Sequence, residues 1–489
     1  MEMILPSLTL NRRHGMQTAI CILLFAFMLR LCVGILYSNY FDITWYRTWA
    51  LGFQDGFFDA YTRLDTGRYA LDYPPLYLYC LYIVGQLYKY LPVADYWMFE
   101  MLAMKIFPIL FDVLAAGLFY LVCRKQSETF GVLAAVLWAL NPSAVFNSAH
   151  WGQTDGLMVF LLLLAVYQIE RNKPYLGSIL FAVACLTKMQ CLYFAPVLFL
   201  YLLRPDDAGE PGPDPSARKT RAGRLWASFI RLRWADALSC VGAALLTGIA
   251  GFLPFIAGSW EAWGVKSLLL PFQVYFGGLG KYPYATLNAY NLYGASALNW
   301  VRDDRSLLFG TANADGVLTG GFTLHHFSTL MLILSLVLIV YVLLRGKREH
   351  RLWLGCFLFM QCTFMLTTRM HERYQFPVLF FSLMLFLRLR DFRWLMQYMA
   401  LSLITLCNQF MLLVRNNTIN DRSAPWDRIF IPVMVAMSLV NLVIFLWSLL
   451  LSVQTAFPPA PKEDGPPPEE PAPLPEDSGA PIPERCDEV

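Results

Sequence analysis

Long apolar runs separated by short polar interruptions organise the chain. The runs fall at roughly 17–37, 99–123, 130–147, 155–169, 175–188, 189–203, 236–258, 326–345, 352–368, 374–390, 394–414 and 429–452, and residues 74–91 form a further apolar stretch. Runs of about 14–25 residues are on the scale that crosses bilayer hydrocarbon as helix. Helices are favoured there because they satisfy their own backbone donors and acceptors. The pattern predicts an all-α polytopic membrane protein, a bundle of roughly 11–13 transmembrane helices.

Two segments break the pattern. Residues 204–235, with Pro, Lys and Arg, are expected to form a basic cytoplasmic linker. Residues 456–489 form a Pro-rich acidic tail, "FPPAPKEDGPPPEEPAPLPEDSGAPIPERCDEV" from 457, whose composition is that of an unfolded chain. The expected division is a membrane module 1–203 containing a first external loop 38–73, the linker, a second module 236–455 and the tail.

Composition agrees and narrows the field. A chain 57% hydrophobic and only 15% charged is too apolar for a soluble protein of this length. Most cysteines lie inside apolar runs with no CxxC spacing, so neither a disulfide framework nor a metal cluster is expected. No cofactor is assigned and a divalent metal is left open. Arg12, Arg13 and His14 precede an apolar stretch without a small-residue cleavage site, which predicts a retained first helix.

Basic residues in short loops favour the cytoplasmic side. The clusters are Arg12-Arg13, Arg124-Lys125, Arg171/Lys173, the loop 204–233, Lys347-Arg348 and Arg388 to Arg393. All can share one side only if 74–91 makes no net crossing and 175–203 crosses twice, broken near Lys188. Every unusual polar motif then falls on the opposite, external face.

Those motifs are the candidate chemistry. In "NYFDITWYRTWA" Asp42 opens an aromatic segment, as an interfacial helix cap or as a general base. In "YALDYPPLYLY" Pro74 and Pro75 place Asp72 and Tyr73 at a helix start, where a carboxylate can cap. "HWGQTDG" puts His150, Gln153 and Asp155 after the Asn141-Pro142 break, in what is expected to be an irregular external turn over 143–154. Asp155 is a candidate cap there, and its neighbours have the groups that hold sugar hydroxyls. Lys188 interrupts an apolar run, and His371 and Arg373 flank Glu372 between two runs; cations beside acidic groups on one face suggest a bound phosphate. No Gly-rich phosphate loop is present, so a sugar donor is expected to be a lipid rather than a nucleotide.

Taken in order, "DITWY", "DYPPLYLY", "NPSAVFNSAHWGQTDG", "LTKMQ", "NAYNLYG" and "HERYQFP" resemble the GT-C superfamily of polyprenyl-phosphate-sugar-dependent glycosyltransferases over about residues 17–450. The nearest likeness is to bacterial mannosyltransferases related to the second mannosyltransferase of glycosylphosphatidylinositol assembly. The resemblance implies a GT-C-like bundle with a cavity on the external face of the cell membrane. It maps the family's first-loop acid onto Asp42 and its other acidic positions onto Asp72 and Asp155. Many members carry an adjacent acidic pair where Asp42 is followed by Ile43, and Asp55, Asp59 and Asp65 are alternatives. The implied reaction is inverting transfer of a hexose, with mannose expected, from a polyprenyl-phosphate donor to a glycan or glycolipid acceptor. Asp42 is the base, and Asp72, Tyr73, His150, Gln153, Asp155, Lys188, Asn288, Asn291, His371 and Arg373 bind substrate. The partners expected are these two substrates and membrane lipid, with no nucleic acid. The competing reading is a transporter or flippase for a sugar or lipid-linked saccharide, which needs no base at Asp42. A diphosphate-linked oligosaccharide ligase is the third.

Overall fold

The computed structural model describes residues 10–36, 41–64, 71–90, 97–204, 233–277, 282–312, 318–347, 349–418 and 426–458. Most of the expected linker and nearly all of the tail, as well as Asp65, lie outside the described residues.

Helices occupy nearly every apolar run. In chain order they are α1 (Arg12–Gly34), α2 (Phe41–Gly52), α3 (Ala60–Arg63), α4 (Pro75–Tyr90), α5 (Trp97–Cys123), α6 (Glu128–Ala139), α7 (Pro142–Val145), α8 (Asp155–Glu170), α9 (Pro174–Cys185), α10 (Ala195–Leu203) and α11 (Trp234–Gly258). They continue as α12 (Trp260–Trp263), α13 (Leu270–Gly277), α14 (Leu292–Ala295), α15 (Leu324–Arg345), α16 (Arg351–Leu366), α17 (Phe376–Leu389), α18 (Phe392–Thr418) and α19 (Trp426–Ala456). Six of them are long and apolar enough to cross a membrane, and the bent pair α6–α7 makes up to seven. Residues 174–185, 189–203, 351–366 and 376–389 add shorter apolar helices. Chain and structure together describe an all-α polytopic membrane protein.

Burial sorts these helices into centre and rim. In α8 and α17 the side chains are buried almost all round. The rim helices instead expose large apolar side chains, Leu245, Leu246 and Leu253 on α11 and Ile333, Leu334 and Val337 on α15. Such faces suit lipid and not water. Inside the first module Arg30 and Asp112 are both fully buried and pair at 2.9 Å. Trp138 Nε1 and Ser148 Oγ donate to the same carboxylate at 3.0 and 2.8 Å, so α1, α5, α6 and the chain after α7 share one polar knot. A buried charge of this kind persists only when paired and fully hydrogen-bonded.

The expected irregular turn at 143–154 is a correction. Asn141 caps a new helix, accepting from Ala144 N at 3.1 Å, and Pro142 sits at its first position, where a missing N–H costs nothing. The chain bends by 50° there. It then continues as a π-turn over Phe146–Trp151 that ends at Gly152, φ +80°. The stretch is helical because the residues that break one helix are also those that start the next.

α4 begins beside the α9–α10 break, with Leu76 N donating to Leu186 O at 2.8 Å. It ends against the first turn of α5, where Tyr88 Oη meets Glu100 O at 3.4 Å. Lys105, also near the start of α5, is buried and donates to Gly34 O at the end of α1, 3.0 Å away. Both ends of α4 thus lie at one end of the bundle. α2 packs on α4 so tightly that a Cβ on Gly85 would stand 2.0 Å from Ala50 O.

Two small sheets complete the fold. β2 (Leu307–Ala312) pairs antiparallel with β3 (Leu318–Thr323), and β1 (Thr286–Leu287) pairs parallel with β4 (Met370–His371). The second pairing ties segment 282–303 to the turn between α16 and α17.

Candidate functional site

A cavity of about 460 Å³ opens at the end of the bundle where α1 and α9 finish and where α4, α8 and α17 start. Its wall carries Asp42, Asp72, Tyr73, Lys188, His371 and Arg373, so residues from six separate motifs of the chain meet there.

Asp42 stands in the first turn of α2. Its Oδ2 accepts two hydrogen bonds, from Trp151 Nε1 at 3.0 Å and from Gln153 Nε2 at 2.7 Å. Both donors come from the turn after the π-helix, and Gly152 between them makes this arrangement possible. Its left-handed φ is one that glycine adopts freely, and a Cβ there would meet Ile43 Cδ1 at 2.6 Å. The two neutral N–H groups fix the carboxylate through one oxygen. Its Oδ1 accepts nothing among the described residues.

Arg373 lies over the face of the same Trp151 ring, 5.5 Å from its centroid. One indole therefore holds the acid by its edge and the cation by its face. Arg373 also donates to Glu372 at 2.8 Å, and His371 Nδ1 lies 3.8 Å from the other Glu372 oxygen. Burial alone would raise the Glu372 carboxyl. A hydrogen bond from His371 and the charge of Arg373 outweigh burial and hold its pKa below the ordinary carboxylate value. Glu372 is thus an ionised anchor that fixes both cations at the cavity rim.

Lys188 sits in extended backbone, φ −153° and ψ 130°, at the break between α9 and the 3₁₀ turn Met189–Phe194. It does not snorkel. It is buried and forms an ion pair with Asp155 Oδ1, whose Oδ2 accepts from Asn147 Nδ2 at 3.0 Å. Asp155 is therefore not a helix cap: Thr154 occupies that position, and Asp155 is the first helical residue, used to hold Lys188.

The remaining candidates divide accordingly. Asp72 and Tyr73 line the cavity, and Tyr73 Oη meets Tyr46 Oη at 2.8 Å. Gln153 and Asp155 are buried behind the wall, one behind Asp42 and one behind Lys188. His150 points elsewhere, packing its ring 4.9 Å from Phe146. Asn291 caps α14 through Gly294 N at 3.0 Å. Asn288 holds a left-handed turn, φ 61°, and its Oδ1 accepts from Asn299 and Trp300 at 3.0 and 3.2 Å. For His150, Asn288 and Asn291 the expectation of ligand contact is corrected to one of local structure. Three residues that were not candidates also line the cavity: Gln190, Tyr282 and Trp300. Tyr282 packs edge-on to His371 at 5.4 Å. Their only sequence signal was adjacency to the motifs, in a chain where aromatic residues are common.

Among the described residues no group of three or more His, Cys, Asp or Glu is placed to hold a metal ion. The described basic clusters gather at the far ends of the helices that carry the site. They include Arg124-Lys125 after α5, Arg171 after α8 and Arg388 to Arg393 after α17. The arrangement can orient a carboxylate beside bound cations, in a cleft formed where helices end.

Comparison with known proteins gives a consistent answer. The model for the "ALG6, ALG8 glycosyltransferase family" matches residues 26–424. A Drosophila melanogaster protein named "Probable dolichyl pyrophosphate Glc1Man9GlcNAc2 alpha-1,3-glucosyltransferase" is 27% identical over 247 residues, 47% of this chain and 43% of its own. The Mus musculus "Dolichyl pyrophosphate Glc1Man9GlcNAc2 alpha-1,3-glucosyltransferase" is 26% identical over 187 residues, 34% of either chain. The matched stretches thus span less than half the length of these relatives. Both are named for glucose, where the motifs led to an expectation of mannose.

Proposed function

Because the chain belongs to the ALG6, ALG8 glycosyltransferase family, we propose that it transfers a hexose from a polyprenyl-phosphate donor to the glycan of a lipid-linked acceptor, with inversion at the sugar. The observation that carries this reading is the Asp42 carboxylate, held through Oδ2 by Trp151 and Gln153 in a cavity walled by Lys188, His371 and Arg373. The relatives' names make glucose the first sugar to test, ahead of mannose.

In the proposed reaction an acceptor hydroxyl oxygen attacks C1 of the donor sugar. Its proton passes to Asp42 Oδ1, and the bond from C1 to the phosphate oxygen breaks. A positioned base contributes about 10²–10⁴-fold to such a step. The departing lipid phosphate takes up negative charge, which preorganised cations stabilise. Arg373 and His371 reach the cavity at 14% and 19% side-chain exposure, fixed by Glu372, and Lys188 adds a third charge from the opposite wall. Asp72 and Tyr73 are placed to orient the sugar or acceptor, and Tyr282 and Trp300 supply faces on which a pyranose can stack. The cavity is assigned to the external side of the membrane, since the basic clusters lie at the other end of the bundle.

The test is transfer by purified protein in detergent, with radiolabelled polyprenyl-phosphate glucose and polyprenyl-phosphate mannose offered separately with a lipid-linked oligosaccharide. Label moving from one of them into the oligosaccharide is expected. Movement of intact donor across a vesicle membrane without transfer would replace the enzyme with a flippase.

A further inference from the structure

A second cavity, of about 250 Å³, lies at the opposite end of the bundle from the first. α8 joins the two: Asp155 at its start holds Lys188, and Tyr167 and Glu170 at its end line the second cavity. At about 1.5 Å per residue the two sites are some 20 Å apart along that helix. The second cavity belongs to none of the proposed chemistry.

Its walls come from the C-terminal ends of α5, α8 and α17 and carry three cations, Lys125, Arg171 and Arg388, against one acid, Glu170. Glu170 is already committed, bridged by Arg388 and accepting from Trp353 Nε1 at 2.8 Å. Lys125 and Arg171 have no such partner. Both donate to the same phenol oxygen, Tyr167 Oη, at 2.7 and 3.2 Å. A cation at a helix C-terminus is ordinary, because the helix dipole favours it. Two cations from different helix ends converging on one neutral oxygen are not explained in that way, since the phenol cancels neither charge and the two repel. An anion with several oxygens would accept from both and neutralise them. The cavity also adjoins a face suited to lipid: Leu110, Leu114 and Leu121 of α5, 39%, 42% and 53% exposed, form a stripe that ends beside its walls Val122 and Cys123.

We propose that this cavity binds a phosphate oxyanion between Lys125 and Arg171, supplied either by the headgroup of an anionic phospholipid or by free inorganic phosphate.

The test titrates purified full-length protein in neutral detergent with short-chain phosphatidic acid, short-chain phosphatidylcholine and inorganic phosphate, reading the shift in thermal unfolding. Phosphatidic acid is expected to give a saturable shift that phosphatidylcholine does not. A matching shift with inorganic phosphate identifies the free anion as the source, and none identifies the lipid. The double variant K125Q/R171Q should weaken binding about tenfold or more, the size of losing charge-assisted contacts. The charge-keeping variant K125R/R171K should stay within about threefold of wild type, which separates loss of charge from loss of fold. The proposal is overturned by no saturable shift with either phosphate probe, by an equal shift with phosphatidylcholine, or by unchanged binding in K125Q/R171Q.

Discussion

Lys188 belongs to the cavity wall and is also bound to Asp155, so the residue carries two obligations that can be separated by experiment. Lys188→Met alone strands a buried carboxylate, and a loss of about 3–5 kcal/mol in stability is expected, read from thermal unfolding. Lys188→Met with Asp155→Leu removes both charges and should recover most of that stability, while donor titration still shows weakened binding. Full recovery of donor use in the double variant would leave Lys188 a structural residue only. Asp42→Asn should cut transfer by about 10²–10⁴-fold with stability kept, since the amide cannot take the proton. Gln153→Leu leaves the Trp151 bond in place, so a smaller loss, about tenfold, is expected at saturating donor, and loss as large as that of Asp42→Asn would make the glutamine indispensable. The candidate acids and cations were legible because ionisable residues stand out in apolar runs. Their division of labour was not. Nothing in the chain says that Gln153 serves Asp42 and Asp155 serves Lys188, or that Asn291 is spent on capping a four-residue helix. The aromatic walls were hidden for a different reason, since one more tyrosine or tryptophan carries no signal here.

The contact between α2 and α4 sets the position of Asp42 relative to Tyr73, through Tyr46. It relies on Gly85, and Gly85→Ala should force the two helices apart, costing about 1–3 kcal/mol by thermal unfolding and lowering transfer as well. Gly248→Ala, on the rim helix α11 with nothing within 4 Å of the added carbon, is the matched control and should cost nothing measurable. An equal effect of both substitutions would mean that glycine content, not the close crossing, matters. Element positions were largely legible from the lengths of the apolar runs, and the break at Lys188 was legible from a charge in mid-run. The helix over 142–151 was not, because the Asn-Pro pair that signals an ending also signals a beginning.

The site gathers at one end of the bundle and the described basic clusters at the other. This arrangement makes the topology testable with single cysteines in a cysteine-free background. Ser296→Cys lies in the exposed part of the segment that carries Trp300, and Lys173→Cys follows α8 at the far end. An impermeant thiol reagent should label the first from outside sealed cells and the second only after the membrane is opened. The reverse pattern would turn the cavity toward the cytoplasm. The expectation that α4 makes no net crossing followed from charge alone, and the contact of both its ends with the cavity side agrees with it.

The two-residue parallel pair of β1 with β4 has a consequence in time. Thr286 and Leu287 meet Met370 and His371, which are made much later, and a pairing that brief survives only as a passenger on helices already packed around it. During synthesis Asp42, Asp72 and Lys188 are thus in the membrane well before Arg373 exists. The face of Trp151 stays bare, and the acid waits without its counter-charge. An unfinished chain is chemically silent by construction, and competence arrives only when the last third of the sequence has been inserted and docked.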